Sequence, residues 1–164
     1  MIFLAGISAT GKTRAASQLA ASGKFIHVRA SQLLVKAGCP IAQLTKAQAV
    51  QNQKKLLEIL DVRPRNSKVV LDGHATIETV EGMIDVPDWF FDQANVQKII
   101  CLVDSPENIV ERRRIRGDSA NRKDVNDAQQ REAFAAKRQA ERLRVDYREI
   151  TAGDSEAFRR AIAE

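Results

Sequence analysis

The sequence predicts an α/β domain: a five-stranded parallel sheet covered by helices on both faces. Three observations carry this expectation. Five strand-like segments, three of them apolar runs, alternate with helix-forming segments along the 164 residues, the pattern of right-handed strand–helix–strand crossovers. The first run, Ile2-Phe3-Leu4-Ala5, leads directly into Gly6-Ile7-Ser8-Ala9-Thr10-Gly11-Lys12-Thr13, which fits G-x-x-x-x-G-K-[ST] at every fixed position and is followed by a helix former. A later run, Lys68-Val69-Val70-Leu71, ends on Asp72, at the carboxyl edge where open α/β sheets bind ligands.

The glycine-rich stretch is the most informative. Its glycines let the backbone curl, so that N–H groups from Gly6, Ser8, Ala9, Thr10 and Gly11 are available to a β-phosphate, with the positive end of the following helix behind them. Lys12 would place a point charge between β- and γ-phosphates, and the Thr13 hydroxyl is a ligand for Mg²⁺. ATP and Mg²⁺ are the cofactors this spacing implies.

The first helix should stop at Gly23. Lys24 to Arg29 reads as a second strand, with His27 a structural residue within it. Ser31 to Gly38 reads as a short helix capped by Ser31, and Thr45 to Leu60 as an amphipathic helix with Ala49, Leu56, Leu57 and Leu60 inward, ended by Pro64. Past Asp72-Gly73-His74 an irregular loop or hairpin runs to Val86. Pro87 opens a short helix whose Trp89, Phe90 and Phe91 are core candidates. Val96 to Asp104 is the fourth strand. Ser105-Pro106 starts a helix to about Arg116, Gly117 to Asn121 breaks it, and Asn126 to Val145 forms a long helix. Tyr147 to Thr151 and Ser155 to Ile162 complete the chain as strand and helix.

Hydrophobic residues make up 44% and charged residues 29%, a globular balance for one domain spanning 1–164. The apolar runs are too short for a membrane span, and the first residues show neither the basic n-region nor the apolar segment of a secretory leader, so none is expected. Two distant cysteines, Cys39 and Cys101, fit a reducing cytoplasm. The net charge of +5 is concentrated between Arg112 and Arg148. With 5% aromatics, stacking platforms for nucleic acid are poorly supplied, so nucleic acid is possible but not favoured. A monomer or weak dimer is expected.

Asp72, on a strand beside the phosphate loop, is a second Mg²⁺ ligand or a strand-end cap. His74 either positions an attacking water or acceptor, or is a hydrogen-bonded structural group. Arg112 and Arg116 share a helix face, and their guanidinium forks suit phosphate oxygens. A solvated helix face is the alternative, and Arg113, Arg138, Arg142 and Arg144 are read that way.

The order of Gly6–Thr13, Leu71-Asp72-Gly73-His74, and Glu111-Arg112-Arg113-Arg114-Ile115-Arg116 before Asn121-Arg122-Lys123-Asp124 resembles the adenylate kinase-like branch of the phosphate-loop nucleoside monophosphate kinases. In its Asp-Gly-His it looks most like the small archaeal and nuclear-type members. The resemblance implies a P-loop NTPase fold of the nucleotide-kinase type with a short helical lid at about 112–131. It further implies Arg112 near the ATP base, Arg116 on phosphate, and Arg122 and Arg131 returning to the transferring phosphoryl group. The reaction implied is transfer of the γ-phosphoryl of Mg-ATP to a nucleoside monophosphate, with AMP the leading acceptor. The alternatives are a kinase for a small metabolite or nucleic-acid end, or a slow ATPase serving as a switch for a protein or RNA partner. The family's acceptor arginine after the second strand is absent. Ala30-Ser31-Gln32-Leu33-Leu34-Val35-Lys36 stands there, so Arg29 or Lys36 would substitute.

Overall fold

Strand β1 (Ile2–Ala5) lies at the centre of a five-stranded sheet, because its residues are apolar on both sides and both sides are covered. Phe3 and Ala5 join one core, with the flanking Val28, Leu71, Ile99 and Cys101. Leu4 joins the other, with Val70, Ile100 and Leu102. Strand residues alternate between faces, so a continuous apolar run is what a strand buried on both faces requires.

The computed structural model describes residues 1–21, 23–61, 68–118 and 121–163. The order of elements is β1, α1 (Lys12–Ala20), β2 (Ile26–Arg29), α2 (Ala30–Lys36), α3 (Lys46–Asp61), β3 (Val69–Asp72), β4 (Thr76–Thr79), β5 (Gly82–Asp85), α4 (Asp88–Gln93), β6 (Lys98–Val103), α5 (Pro106–Ile115), α6 (Arg122–Leu143), β7 (Asp146–Thr151) and α7 (Ser155–Ala163). The sheet order is β2-β3-β1-β6-β7, with every pairing parallel. β3 and β6 therefore flank β1, and the chain reverses direction across the sheet at the end of β1, the switch point where α/β sheets take ligands.

Helices α1 and α7 cover the Leu4 face through Ala16, Phe158, Ala161 and Ile162. Helices α3, α4 and α6 cover the Phe3 face. Phe90 and Phe91 stack edge-on against Phe3, with ring centroids at 6.5 and 5.0 Å. They are core residues, as their sequence suggests, and Trp89 is half-buried beside them.

Several boundaries differ from expectation for local reasons. Helix α2 follows β2 without a break, capped by the Arg29 backbone with no side-chain cap, so Ser31 is an exposed residue inside the helix. Pro87 is the N-cap of α4, one position before its expected place. The region after β3 is a hairpin, β4 antiparallel to β5, one of the two forms expected there. Helix α6 begins at Arg122, well before Asn126, because the Asn121 side chain accepts from the Asp124 N–H at 2.9 Å and caps it there. Ser105 caps α5 as expected, accepting from the Asn108 N–H. Pro64 lies outside the described residues. Among the described residues no helix is long and apolar enough to cross a membrane.

Candidate active site at the end of β1

The loop between β1 and α1 takes its shape from three residues with positive φ: Gly6 at 140°, Ala9 at 72° and Gly11 at 97°. At Gly6 a Cβ would stand 2.7 Å from the Leu102 carbonyl oxygen and 3.1 Å from Thr10 Oγ1, so only glycine fits. Inside the loop the Thr10 hydroxyl donates to the Ile7 carbonyl at 2.9 Å. Lys12 Nζ reaches back to donate to the carbonyls of Gly6 and of Ile7, the latter at 3.1 Å. The side chain is buried, and burial lowers its pKa while the carboxylates of Asp72 and Glu132 pull it back up. The ammonium is thus stored at the centre of the loop, with two anions offsetting its desolvation.

Asp72, at the carboxyl end of β3, is brought to the first turn of α1. Its Oδ2 accepts from the Thr13 hydroxyl at 2.8 Å. The same oxygen lies 3.4 Å from His27 Nε2, whose Nδ1 is 3.3 Å from Ser17 Oγ. The Thr13 hydroxyl and the Asp72 carboxylate form a hard oxygen pair of the kind Mg²⁺ takes alongside phosphate and water. His27, read from sequence as a strand residue, is a second contact of that carboxylate.

His74 stands two residues beyond Asp72. Protein crowded around the ring, then the positive charges of Lys12 and Arg113, push its pKa down to about 3, against a smaller opposing pull from the Gly6 backbone. His74 is nonetheless an exposed residue, so solvent offsets much of that desolvation and the downward direction is what stands. At neutral pH the imidazole carries no charge and keeps an acceptor nitrogen.

The arginines separate into those on the loop and those away from it. Arg112 Nη1 donates to the Ala9 carbonyl at 2.5 Å, and its Nη2 pairs with Asp104 at the end of β6. Burial would raise the Asp104 carboxyl, but hydrogen bonds from Asn108, Arg112 and the Ser105 N–H outweigh it and hold the pKa below the usual range. Arg113, expected to face solvent, instead reaches the Ser8 carbonyl through Nε and Nη2, each at 3.4 Å, and is half-buried. Helix phase explains this: the residue after Arg112 is turned over the loop, while Arg116 is the exposed C-cap of α5. Arg122 pairs with Glu107 in the first turn of α5, and Arg131 donates to the Met83 carbonyl at 3.1 Å beside Asp85. In this conformation neither reaches the loop. Below Arg131, Arg138 and Arg142 grip Asp85, Asp88 and Asp92.

Glu132 was not singled out from the sequence. It is fully buried, with Oε1 accepting from the Gly6 N–H at 3.0 Å and the Ala75 N–H at 2.7 Å; the Gly6 N–H, expected from the sequence to face a β-phosphate, is therefore taken up by Glu132 instead. Oε2 accepts from the Thr76 N–H at 2.9 Å and the Thr76 hydroxyl at 2.6 Å. The available signal was an acid on the face that Ala135, Ala136, Gln139 and Ala140 bury.

Behind the loop a cavity of about 360 Å³ opens between Thr10, Arg14, Asn108, Arg112, Thr151 and Phe158, within the range of small-ligand sites.

A family model described as AAA domain, AAA_17, matches residues 5–131. The chain belongs to the AAA_17 family. No curated protein matches it. Among solved structures, this AAA_17 chain is similar over 99% of its length to a gluconokinase from Sinorhizobium meliloti 1021, with TM-score 0.59, 18% identity and 89% of that chain covered. It is similar over the same share to the YorR protein of Bacillus subtilis in complex with phosphorylated GDP (TM-score 0.58, 16% identity, 92% covered). A shikimate kinase from Bacteroides thetaiotaomicron gives TM-score 0.54 at 15% identity and 93% covered. The shared fold is that of P-loop kinase-like domains. It is broader than the adenylate kinase resemblance read from the motifs.

Proposed function

We propose that this chain is a Mg-ATP-dependent phosphotransferase whose acceptor is a small anionic molecule. The observation that carries the reading is the meeting of Thr13 and Asp72 at 2.8 Å beside the buried ammonium of Lys12. A phosphate loop needs a metal-binding hydroxyl and acid at that place. The cavity lined by Thr10 and Arg112 is suited to the nucleoside end of ATP, and the loop N–H groups to its β-phosphate. When bound, Mg²⁺ would be held by Thr13 and Asp72 and would neutralise charge on the β- and γ-phosphates. Around it, Lys12 orients the phosphates, Arg113 adds positive charge over the loop, and neutral His74 can position the acceptor or a water by accepting a hydrogen bond from it.

Arg29 supports an anionic acceptor. It pairs in register with Asp72 across β2 and β3, is half-buried, and has no ion-pair partner among the described residues. A guanidinium at that edge suits a phosphate or carboxylate. The motif resemblance favours a nucleoside monophosphate, AMP first. The fold's likeness to a gluconokinase and a shikimate kinase favours a hydroxylated small acid. In either case the α5–α6 hairpin would act as the lid. Arg138, Arg142 and the buried Glu132 anchor α6 from its middle onward, so closure would swing the end carrying Arg122 from Glu107 to the phosphoryl group, while the exposed Arg131 side chain would turn to it from Asp85.

The test is a panel of acceptors incubated with Mg-ATP: nucleoside monophosphates, hydroxylated carboxylic acids and neutral sugars. We expect ADP formation that depends on an anionic acceptor. ADP release independent of every acceptor would point to the switch ATPase instead. Activity confined to neutral sugars would remove Arg29 from the acceptor site.

A further inference from the structure

Glu132 is a buried carboxylate that the proposed reaction does not use, although it touches both turns that carry the reaction. All four of its hydrogen bonds leave its own helix. The Gly6 N–H lies 126 positions away in sequence and the Ala75 N–H 57. Burying a carboxylate costs far more than burying a methionine or leucine of similar size. An apolar side chain there would in turn leave three backbone N–H groups and a hydroxyl without partners. The carboxylate is therefore tied to what it holds. On one side is the first residue of the phosphate loop, and on the other the end of the β3–β4 turn, which carries His74, and the first residue of β4.

We infer that Glu132 is the positioning residue that holds the phosphate loop and the His74 turn in one fixed frame. The inference rests on the nucleotide-binding reading of the loop. Gly6 has no freedom on its other side, where the Leu102 carbonyl leaves no room even for a Cβ. Clamped between Leu102 and Glu132, its amide fixes where the loop starts, and hence where the N–H groups of the residues after it point. Preorganised donors of this kind do not have to be reoriented when phosphate arrives. The carboxylate's two oxygens divide the work: Oε1 spans Gly6 and Ala75, and Oε2 holds Thr76 twice. Because every partner is a donor, two acceptor oxygens at this exact reach are required. Glutamine keeps the reach but turns an NH₂ against at least one backbone N–H whichever way it is placed. Aspartate keeps the charge but is one methylene too short. Glu132 also follows Arg131 directly, so one turn of α6 sets both the frame of the loop and the position of the outward arginine.

The experiment compares parent, Glu132→Gln, Glu132→Asp, Thr76→Val and a core control, Leu56→Ala, in the full chain. Mg-ATP affinity is measured by titration calorimetry at a temperature where each protein is folded. The ³¹P resonance of the bound β-phosphate and the Tm are recorded alongside. We expect Glu132→Gln and Glu132→Asp each to weaken Mg-ATP binding by about tenfold or more, the scale of one misplaced charge-assisted hydrogen bond, and to shift the β-phosphate resonance. Leu56→Ala should lose at least as much in Tm and keep the parental affinity and resonance. Parental binding in Glu132→Gln, or full rescue by Glu132→Asp, would overturn the inference, as would affinity losses that merely follow Tm across all variants. If the Glu132 variants do not fold, Thr76→Val decides. It removes one donor from Oε2 and should shift the resonance in the same sense, and an unmoved resonance counts against Glu132. A parent that does not bind Mg-ATP sinks the functional reading and this inference together. A binding parent with an indifferent Glu132→Gln sinks only the inference.

Discussion

Gly6→Ala against Gly11→Ala separates two costs that the phosphate loop imposes on its backbone. Both glycines hold positive φ, 140° and 97°, so an L side chain at either is strained by about 1–3 kcal/mol. Their surroundings differ. At Gly11 an added Cβ meets no atom within 4 Å, whereas at Gly6 it meets the Leu102 carbonyl oxygen at 2.7 Å. The Leu102 oxygen belongs to buried strand β6 and cannot swing aside as a side-chain tip could. Forcing a methyl into such packing adds about 1–3 kcal/mol. Gly6→Ala should therefore lose about 4 kcal/mol in all, and at roughly 2–4 °C per kcal/mol for a chain of this size its Tm should fall by about 8–16 °C. Gly11→Ala should lose about half as much. Thermal and urea unfolding followed by circular dichroism, without nucleotide, read the difference directly. Equal losses in the two variants would refute the close approach at Leu102. A Gly6→Ala protein as stable as the parent would refute the loop conformation itself.

Lys12→Ala should abolish Mg-ATP binding in calorimetry while leaving Tm within a few degrees of the parent, since the side chain is buried at a desolvation cost that folding does not need. A folded mutant with parental affinity would remove the lysine from the phosphate site. Asp72→Asn should keep most nucleotide affinity and lose its Mg²⁺ dependence, because the amide keeps its shape beside Thr13 without the charge; an unchanged Mg²⁺ titration would leave Asp72 a strand terminator. Arg113→Ala should weaken ATP binding by about tenfold, on the scale of one charged hydrogen bond, while Arg116→Ala should not, and the reverse order would return the sequence-based assignment. Once an acceptor is identified, the Arg122→Lys, Arg131→Lys double variant should lower kcat by about tenfold or more with near-parental ATP affinity, as loss of a planar fork used only in the closed transition state requires. Full activity would leave those arginines as partners of Glu107 and Asp85 alone.

The features legible in the sequence are those made by neighbours in the chain. The loop from Gly6 to Thr13 needs particular residues at fixed short spacings, and the three central strands β1, β3 and β6 announce themselves because parallel strands covered on both faces are largely apolar, whereas the edge strands β2 and β7 show only alternation and β-branched residues. Ser105 caps α5 for the same local reason. Asn121 was just as local a signal, and it moved the start of α6 to Arg122. What tertiary packing decided depends on helix phase and on strand order, and neither is written in a short window. The sheet order places β3 between β1 and β2, and only that brings Asp72 to Thr13 on one side and His27 to Asp72 on the other. The rotation of α5 turns Arg113 to the loop and leaves Arg116 in solvent. Glu132 is the clearest case. An acid in an apolar helix stripe reads as a local fault until the fold brings it four donors from the two loops of the site, because the cost of its burial is met only by residues far away in the chain.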